Sequence, residues 1–210
     1  MLNPVLHCIH QTGLKMRVQG DYTMNKLNRF TSAAARLLEV IHWLLVVGAA
    51  ATFILSFTSQ DFISQMVGEL KQDVSLYGFE MHVLTADGAV NFTAFRFLCG
   101  AGLFLFSLMG MIFRNIHLIF KTSAGKTWFA KGETPFQKDI VRMVREIGIF
   151  SMSIPVTGLI LSVIARLAMG VDAVEISVDL SGVIMGIVVL CLSQIFDYGM
   201  RLQQDVDGLL

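Results

Sequence analysis

Four stretches of the chain contain no formally charged residue, and each is long enough to cross a lipid bilayer as a helix. They hold 21, 17, 19 and 17 residues and cover positions 40–60, 97–113, 147–165 and 180–196. A bilayer core requires about 20 apolar residues in helical form, within a range of about 17–25. Lipid offers the backbone no hydrogen-bonding partner, so helices are favoured over isolated strands. The pattern therefore predicts an all-α integral membrane protein with four transmembrane helices.

The composition agrees with this fold class and excludes several others. Apolar residues make up 54% of the 210 residues and charged residues 15%, whereas about 25% charged residues is usual in soluble domains. The formal net charge is zero, which argues against direct nucleic-acid binding through bulk positive charge. We place the spans at about 38–58, 95–119, 145–166 and 178–198. Residues 1–37 then form an N-terminal arm, and residues 38–210 form the transmembrane domain.

Positive charge is concentrated in two of the polar segments. Twelve of the 16 Lys and Arg residues lie in the arm or between the second and third spans. Cytoplasmic loops carry an excess of Lys and Arg, so both segments are predicted to lie inside the cell. With four spans the C-terminus is then also inside. The first span starts too far along the chain to be a signal peptide, although Met24 would also serve as a translation start.

The segment between the first two spans is the only sizeable extracytoplasmic surface. Apolar residues at helical spacing predict a short amphipathic helix there: Phe62, Ile63, Met66, Val67 and Leu70. Further along, apolar residues alternate with polar ones on both sides of an Asp87–Gly88 turn signal: Phe79, Met81, Val83, Val90 and Phe92. We expect this helix and a small hairpin to cap the outer ends of the spans.

A helix-start signal precedes the third span. Thr134 and Gln137, with Pro135 between them at the first helical position, have the spacing of a capping box. After it, Lys138, Arg142 and Arg145 form a basic edge. This edge is interpreted either as a docking surface for a cytoplasmic partner or as an interfacial anchor with snorkelling side chains.

Small residues at a spacing of four occur in the last two spans. Gly158 and Ser162 form one such pair, and Gly182 and Gly186 form the other. Small residues allow helix backbones to approach closely. We expect spans three and four to pack against each other, with homodimerisation through Gly182 and Gly186 as the alternative.

The spans carry few groups that could support chemistry. No Asp, Glu, Lys or Arg lies in the uncharged stretches, which argues against ion-coupled transport and against an intramembrane enzyme. We therefore predict no catalytic residues, no metal site and no cofactor. The alternative is a membrane redox subunit, because His42 and His117 lie near the same predicted end of spans one and two and could ligate one b-type haem.

The second half of the chain resembles a family of small bacterial four-span membrane proteins classed as domain of unknown function 2975. Two segments carry the resemblance. They are the step from Gly132 to Phe136 with the amphipathic run after it, and the run from Leu192 to Gln203. Family members have a similar Gly-x-Pro-Phe-Thr step. The ending from Asp205 to Leu210 departs from the usual Asp-Leu-Thr-Val type.

The resemblance implies a multi-pass protein of the bacterial plasma membrane with no assigned enzymatic activity. Members of the family are often encoded beside a short helix-turn-helix regulator. We therefore expect a non-catalytic membrane protein whose partners are the lipid bilayer and a cytoplasmic transcription regulator. A small transporter or immunity protein is a further alternative.

Overall fold

The computed structural model describes residues 4–68, 74–85, 87–130, 136–170, 174–175 and 179–207, with the backbone alone for residues 4–26, Val74, Glu175 and Asp207. The described elements are, in chain order, α1 (Pro4–Thr58), α2 (Gln60–Gly68), β1 (Val74–Leu76), β2 (Phe79–Met81), α3 (Phe92–Ser123), α4 (Lys138–Met169), β3 (Val174–Glu175) and α5 (Leu180–Asp207). Helix α1 continues without a break across residues 37 and 38, where we predicted the arm to meet the transmembrane domain.

Four of the helices are long and apolar enough to cross a membrane, as predicted for a multi-pass membrane protein. These segments are Leu27–Thr58, Phe92–Ser123, Lys138–Met169 and Leu180–Val206, with mean hydropathies of 2.1, 1.8, 2.1 and 2.0 in their most apolar windows. Three of them contain the predicted spans completely. The fourth helix begins at Leu180, slightly after the predicted start at residue 178.

The helices pack in chain order, α1 against α3, α3 against α4, and α4 against α5. In its most apolar window, α3 is 44% buried and α4 is 33% buried, so these two helices form the centre of the bundle. The corresponding windows of α1 and α5 are each only 11% buried. We call the end of the bundle at Thr58 and Phe92 the cap end. The opposite end, at Ser123 and Lys138, is the basic end.

Helix α4 does not begin with the predicted capping box. Its first residue is Lys138, and Gln137 is the extended N-cap residue with φ −124°, ψ 145° and no side-chain capping bond. Gln137 therefore precedes the helix, whereas a capping box requires it to be the third helical residue. Thr134 and Pro135 lie outside the described residues.

The last helix is displaced along the bundle relative to α4. A β-carbon built on Gly182 would lie 3.3 Å from Cδ of Pro155, which places the start of α5 beside the middle of α4. From Pro155, α4 continues for 14 residues to Met169, or about 21 Å at the helical rise. The part of α4 nearest the cap end therefore has no α5 beside it.

A three-stranded antiparallel sheet packs against α4 in the space that α5 leaves. Its order is β1-β2-β3, and both β2 and β3 contact α4. Phe79 and Met81 of β2 are completely buried, and Phe79 Cβ lies 4.0 Å from the position of a β-carbon on Gly158. Non-helical backbone is tolerated at membrane depth only where protein covers it, and the buried Phe79, Met81 and Val174 show such cover for β2 and for the start of β3.

The predicted hairpin at Asp87–Gly88 is present only as a short reversal, and the sheet adds a second hairpin that we did not predict. Helix α2 is present, with Ile63 and Val67 buried as its apolar face. The second hairpin joins β1 to β2 and turns at Tyr77 and Gly78, and its Tyr77 contacts α1 and α3. At the predicted turn, a bridge joins Leu84 to Val90, and the N–H groups of Thr85 and Asn91 donate to the carbonyl oxygens of Ala89 and Val83. Phe92, predicted to lie in a strand, is the first residue of α3, because Asn91 caps that helix by accepting hydrogen bonds from Thr93 N and Ala94 N.

Candidate functional site

The tip of the hairpin reaches the interior of the bundle at Tyr77. Tyr77 has φ 51° and Gly78 has φ 86°, so both central turn residues have positive φ, as in the type I′ turns that suit two-residue hairpins. A positive φ is uncommon for a tyrosine and disfavoured by its β-carbon. Strain of this kind is often found at functional positions.

The hydroxyl group of Tyr77 forms a 2.8 Å hydrogen bond with Nε2 of His42 on α1. The other ring nitrogen of His42, Nδ1, donates to the carbonyl oxygen of Leu38 at 2.8 Å. In the neutral tautomer Nε2 is then an acceptor, and the Tyr77 hydroxyl donates to it. The Tyr77 ring also forms an edge-on contact with Phe106, with centroids 6.2 Å apart.

His42 is buried in the bundle, with 7% of its surface exposed. Its ring lies against Phe113 of α3, with centroids 5.1 Å apart and an interplanar angle of 36°. One helical turn before His42 on α1, Glu39 is also buried and pairs with Arg36 at 2.8 Å. The hairpin tip thus contacts α1 and α3 next to the buried carboxylate of Glu39, whose partner Arg36 is exposed.

The structure does not bring His42 and His117 together at one level. His117 Nδ1 lies 3.0 Å from the carbonyl oxygen of Ser32 and 3.2 Å from its hydroxyl oxygen. Ser32 precedes His42 by ten residues of α1, or about 15 Å along the helix. Both nitrogens of His42 are engaged with protein atoms. The two rings therefore do not fit a shared haem iron.

A second polar contact joins α3 to α4 near the basic end. Asn115, 6% exposed, donates from its side-chain amide to Oε2 of Glu146 at 3.0 Å. Glu146 Oε1 lies 3.5 Å from Nε of Arg142. Since Asn115 follows Phe113 by two residues, this contact lies at a similar level to the His42 site but on the opposite side of α3.

The predicted basic edge on α4 is exposed along its length. Lys138, Arg142 and Arg145 lie at positions i, i+4 and i+7 of α4 and are all exposed, so they share one side of the helix. Arg142 is flanked by Asp139 at 3.9 Å and by Glu146 at 3.5 Å. The two carboxylates reduce the positive charge of the edge around Arg142.

The predicted small-residue pairs occupy two different contacts. A β-carbon on Gly186 would overlap Met152 and lie 2.9 Å from the carbonyl oxygen of Gly148. The second pair therefore lies where α4 and α5 cross. Gly158 instead faces Phe79, and the buried Ser162 hydroxyl donates to the Gly158 carbonyl oxygen at 2.9 Å.

The late start of α5 also places a carboxylate beside the middle of α4. Asp179 Oδ2 would lie 3.3 Å from a β-carbon on Gly182, which itself packs on Pro155. Asp179 Oδ1 accepts a hydrogen bond from Ser181 N at 3.0 Å. Gly182, three residues after Asp179, lies about 21 Å before the end of α4.

Comparisons with protein-family models, with curated proteins and with solved structures give no match to this chain.

Proposed function

We propose that this chain is a non-catalytic regulatory membrane protein of the bacterial plasma membrane that transmits a signal from its cap end to a cytoplasmic partner at its basic end. In this proposal the N- and C-termini are inside the cell, and the partner is a helix-turn-helix transcription regulator. The hydrogen bond between Tyr77 and His42 is the observation that carries the proposal. It connects the segment predicted to lie outside the cell with the interior of the bundle.

Contacts on two sides of α3 support transmission between the two ends, with the α3 backbone between Phe113 and Asn115 as the rigid link. From Tyr77 the route passes to His42, and from His42 to the ring of Phe113 on α3. Asn115, two residues further along α3, bonds to Glu146, which pairs with Arg142 on the basic edge. A displacement of the hairpin would leave Nε2 of His42 without its partner and would therefore favour a second arrangement of α1 against α3.

The basic edge supports the position of the partner. Lys138, Arg142 and Arg145 are exposed on one side of α4. Such a surface suits an acidic protein face, because charged groups at the rim of an interface chiefly determine partner choice and association rate.

Co-purification tests the docking surface. The full-length chain is co-expressed with the helix-turn-helix protein encoded beside its gene, and Lys138, Arg142 and Arg145 are all changed to Glu. We expect the regulator to be lost from the purified complex. Glu substitutions at the exposed Arg114 and Arg201, which lie outside the basic edge, form the control and should leave it bound. Retention by the α4 variant would show that the docking surface is wrong, and no binding to the native chain would exclude the partner.

The route from the hairpin is tested separately with a transcriptional reporter for the same regulator. We expect Tyr77→Phe to change reporter output without loss of the complex. The double variant Tyr77→Phe with Asn115→Ala should change reporter output by less than the sum of the two single changes, because residues on one route are coupled. Additive effects would contradict transmission along this series of contacts.

A small transporter is a second candidate because of Asp179. Ionisable residues at membrane depth are rare and mark ion or proton pathways, and this carboxylate lies beside the middle of α4. Asp179→Asn retains an oxygen for the Ser181 amide and removes the charge. In vesicles with a pH-sensitive dye, proton uptake by the native chain and its loss in this variant would favour transport. Native vesicles without uptake would exclude proton-coupled transport.

A further inference from the structure

A cationic cavity lies between α1 and the last turn of α3 at the basic end. Its volume is about 300 Å³, and four cationic side chains line it: Arg29, Arg36, Lys121 and Lys126. His117 and Phe120 complete the wall on the α3 side. This cavity is separate from the basic edge of α4 and from the Tyr77–His42 contact.

The ending of α3 determines where the two lysines of the cavity lie. Gly125 has φ 67°, and its N–H bonds to the Thr122 carbonyl oxygen at 3.0 Å, while Lys126 N bonds to the Lys121 carbonyl oxygen at 2.9 Å. These two bonds with a glycine at positive φ define a Schellman motif. The motif turns the chain back, so Lys126 lies against the same helix end as Lys121. Two cations five positions apart in sequence thus line one cavity.

The positive charge of the cavity is only partly neutralised. Arg36 pairs with Glu39 at 2.8 Å. Within the part of the chain that the structure describes, Arg29, Lys121 and Lys126 form no ion pair. Like charges held together without counter-charges repel one another, and an anion between them removes that cost. The side-chain donors of Asn28 and Ser32 at the wall are also suited to anionic oxygens.

We propose that this cavity binds the phosphate group of an anionic lipid headgroup in the membrane leaflet at the basic end. The lipid source is favoured over a free phosphate ion by the surface next to the cavity. Leu37, Val40 and Leu44 continue along α1 from the residues that line it, and they are 61%, 42% and 65% exposed. A headgroup in the cavity would place its acyl chains along this apolar stripe. Basic pockets between transmembrane helices are known to bind anionic headgroups in this way.

The test measures lipid retained by the purified full-length chain in detergent, by native mass spectrometry. The probes are phosphatidylglycerol, phosphatidylcholine and inorganic phosphate. We expect the native chain to prefer phosphatidylglycerol. The double variant Lys121→Gln with Lys126→Gln should bind this lipid roughly thirtyfold more weakly. The matched control, Lys138→Gln with Arg142→Gln, removes equal charge from the basic edge and should have little effect.

A third variant separates the geometry of the cavity from its charge. Gly125→Ala retains every cation but strains the positive φ of the Schellman motif, and we expect it to weaken phosphatidylglycerol binding as well. Equal losses in the cavity and control variants would mean that surface charge alone attracts lipid, and would overturn the proposal. No preference for phosphatidylglycerol would do the same. Displacement of the lipid by inorganic phosphate at equal concentration would assign the cavity to free phosphate.

Discussion

The hydroxyl of Tyr77 lies 2.8 Å from Nε2 of His42 across 35 positions of sequence. Such a contact requires the hairpin to pass far down the bundle, because His42 precedes the end of α1 at Thr58 by 16 residues, or about 24 Å. The backbone of β2 can lie at that depth because it pairs with β1 on one side and β3 on the other, and its Phe79 and Met81 are buried. Tyr77 is therefore held both by the turn and by a polar partner inside the bundle.

Tyr77→Phe should destabilise the protein, because Nε2 of the buried His42 then has no partner. An orphaned buried acceptor costs about 1–3 kcal/mol. The change in the free energy of unfolding, or a lower Tm in detergent, measures this cost. Tyr198 is 67% exposed, so Tyr198→Phe is the control and should have almost no effect. Equal stability of the two variants would mean that the hydrogen bond is energetically unimportant.

Gly186→Ala should loosen the crossing of α4 and α5. The added methyl group would overlap Met152 and lie 2.9 Å from the Gly148 carbonyl oxygen, and overpacking of this kind costs about 1–3 kcal/mol. At Gly48 a β-carbon meets nothing within 4 Å, so Gly48→Ala in α1 should be neutral or stabilising. Thermal unfolding of the two variants compares them, and a Gly186→Ala protein as stable as the native chain would contradict the packing.

Arg96→Lys should weaken the join between α1 and α3 at the cap end. The Arg96 guanidinium donates to the Ser56 carbonyl oxygen at 2.8 Å and to its hydroxyl oxygen at 3.2 Å. It also lies 4.0 Å from the ring centroid of Phe57. A lysine cannot reproduce this forked geometry, so we expect a loss of about 1–2 kcal/mol in unfolding free energy. Arg114 is exposed, so Arg114→Lys is the control. An equal loss of unfolding free energy in this variant would mean that the loss is not specific to the Arg96 contacts.

Cysteine labelling in intact cells tests the orientation. In a background with Cys8, Cys99 and Cys191 replaced by Ala, single cysteines are placed at the exposed positions Asp87 and Trp128. A membrane-impermeant maleimide should label position 87 directly and position 128 only after permeabilisation. The reverse pattern would invert the topology, and the direction of signalling proposed above with it.

The spans could be predicted from sequence because charge in lipid is costly wherever it occurs along a helix. That rule places the membrane-crossing part of each helix in an uncharged stretch, and four helices long and apolar enough to cross a membrane are confirmed. Helices α3 and α4 extend beyond their predicted spans: α3 continues to Ser123, and α4 begins at Lys138, before the span at 145 but after the helix start predicted at Pro135. Long basic side chains explain the extension, because they reach polar surroundings from a helix that continues past the apolar core.

The site could not be predicted in the same way, because its contacts join distant parts of the chain. The Tyr77–Gly78 turn lacks the usual Asn-Gly or Asp-Gly signal, and β3 comes from a segment nearly a hundred positions after β1. One local signal was available. Asn91, followed by the apolar start of a span, is a good N-cap, and recognising it would have excluded Phe92 from a strand.

The late start of α5 has a consequence for the surrounding lipid. The exposed apolar residues Leu180, Ile184 and Ile195 of α5 lie nearer the basic end than the corresponding surface of α4. The bilayer beside α5 must therefore shift, thin or accept a tilted helix, at a cost of fractions of a kcal/mol per Å of hydrophobic mismatch. The protein should then be sensitive to acyl-chain length, with α5 as the helix whose position responds to membrane thickness.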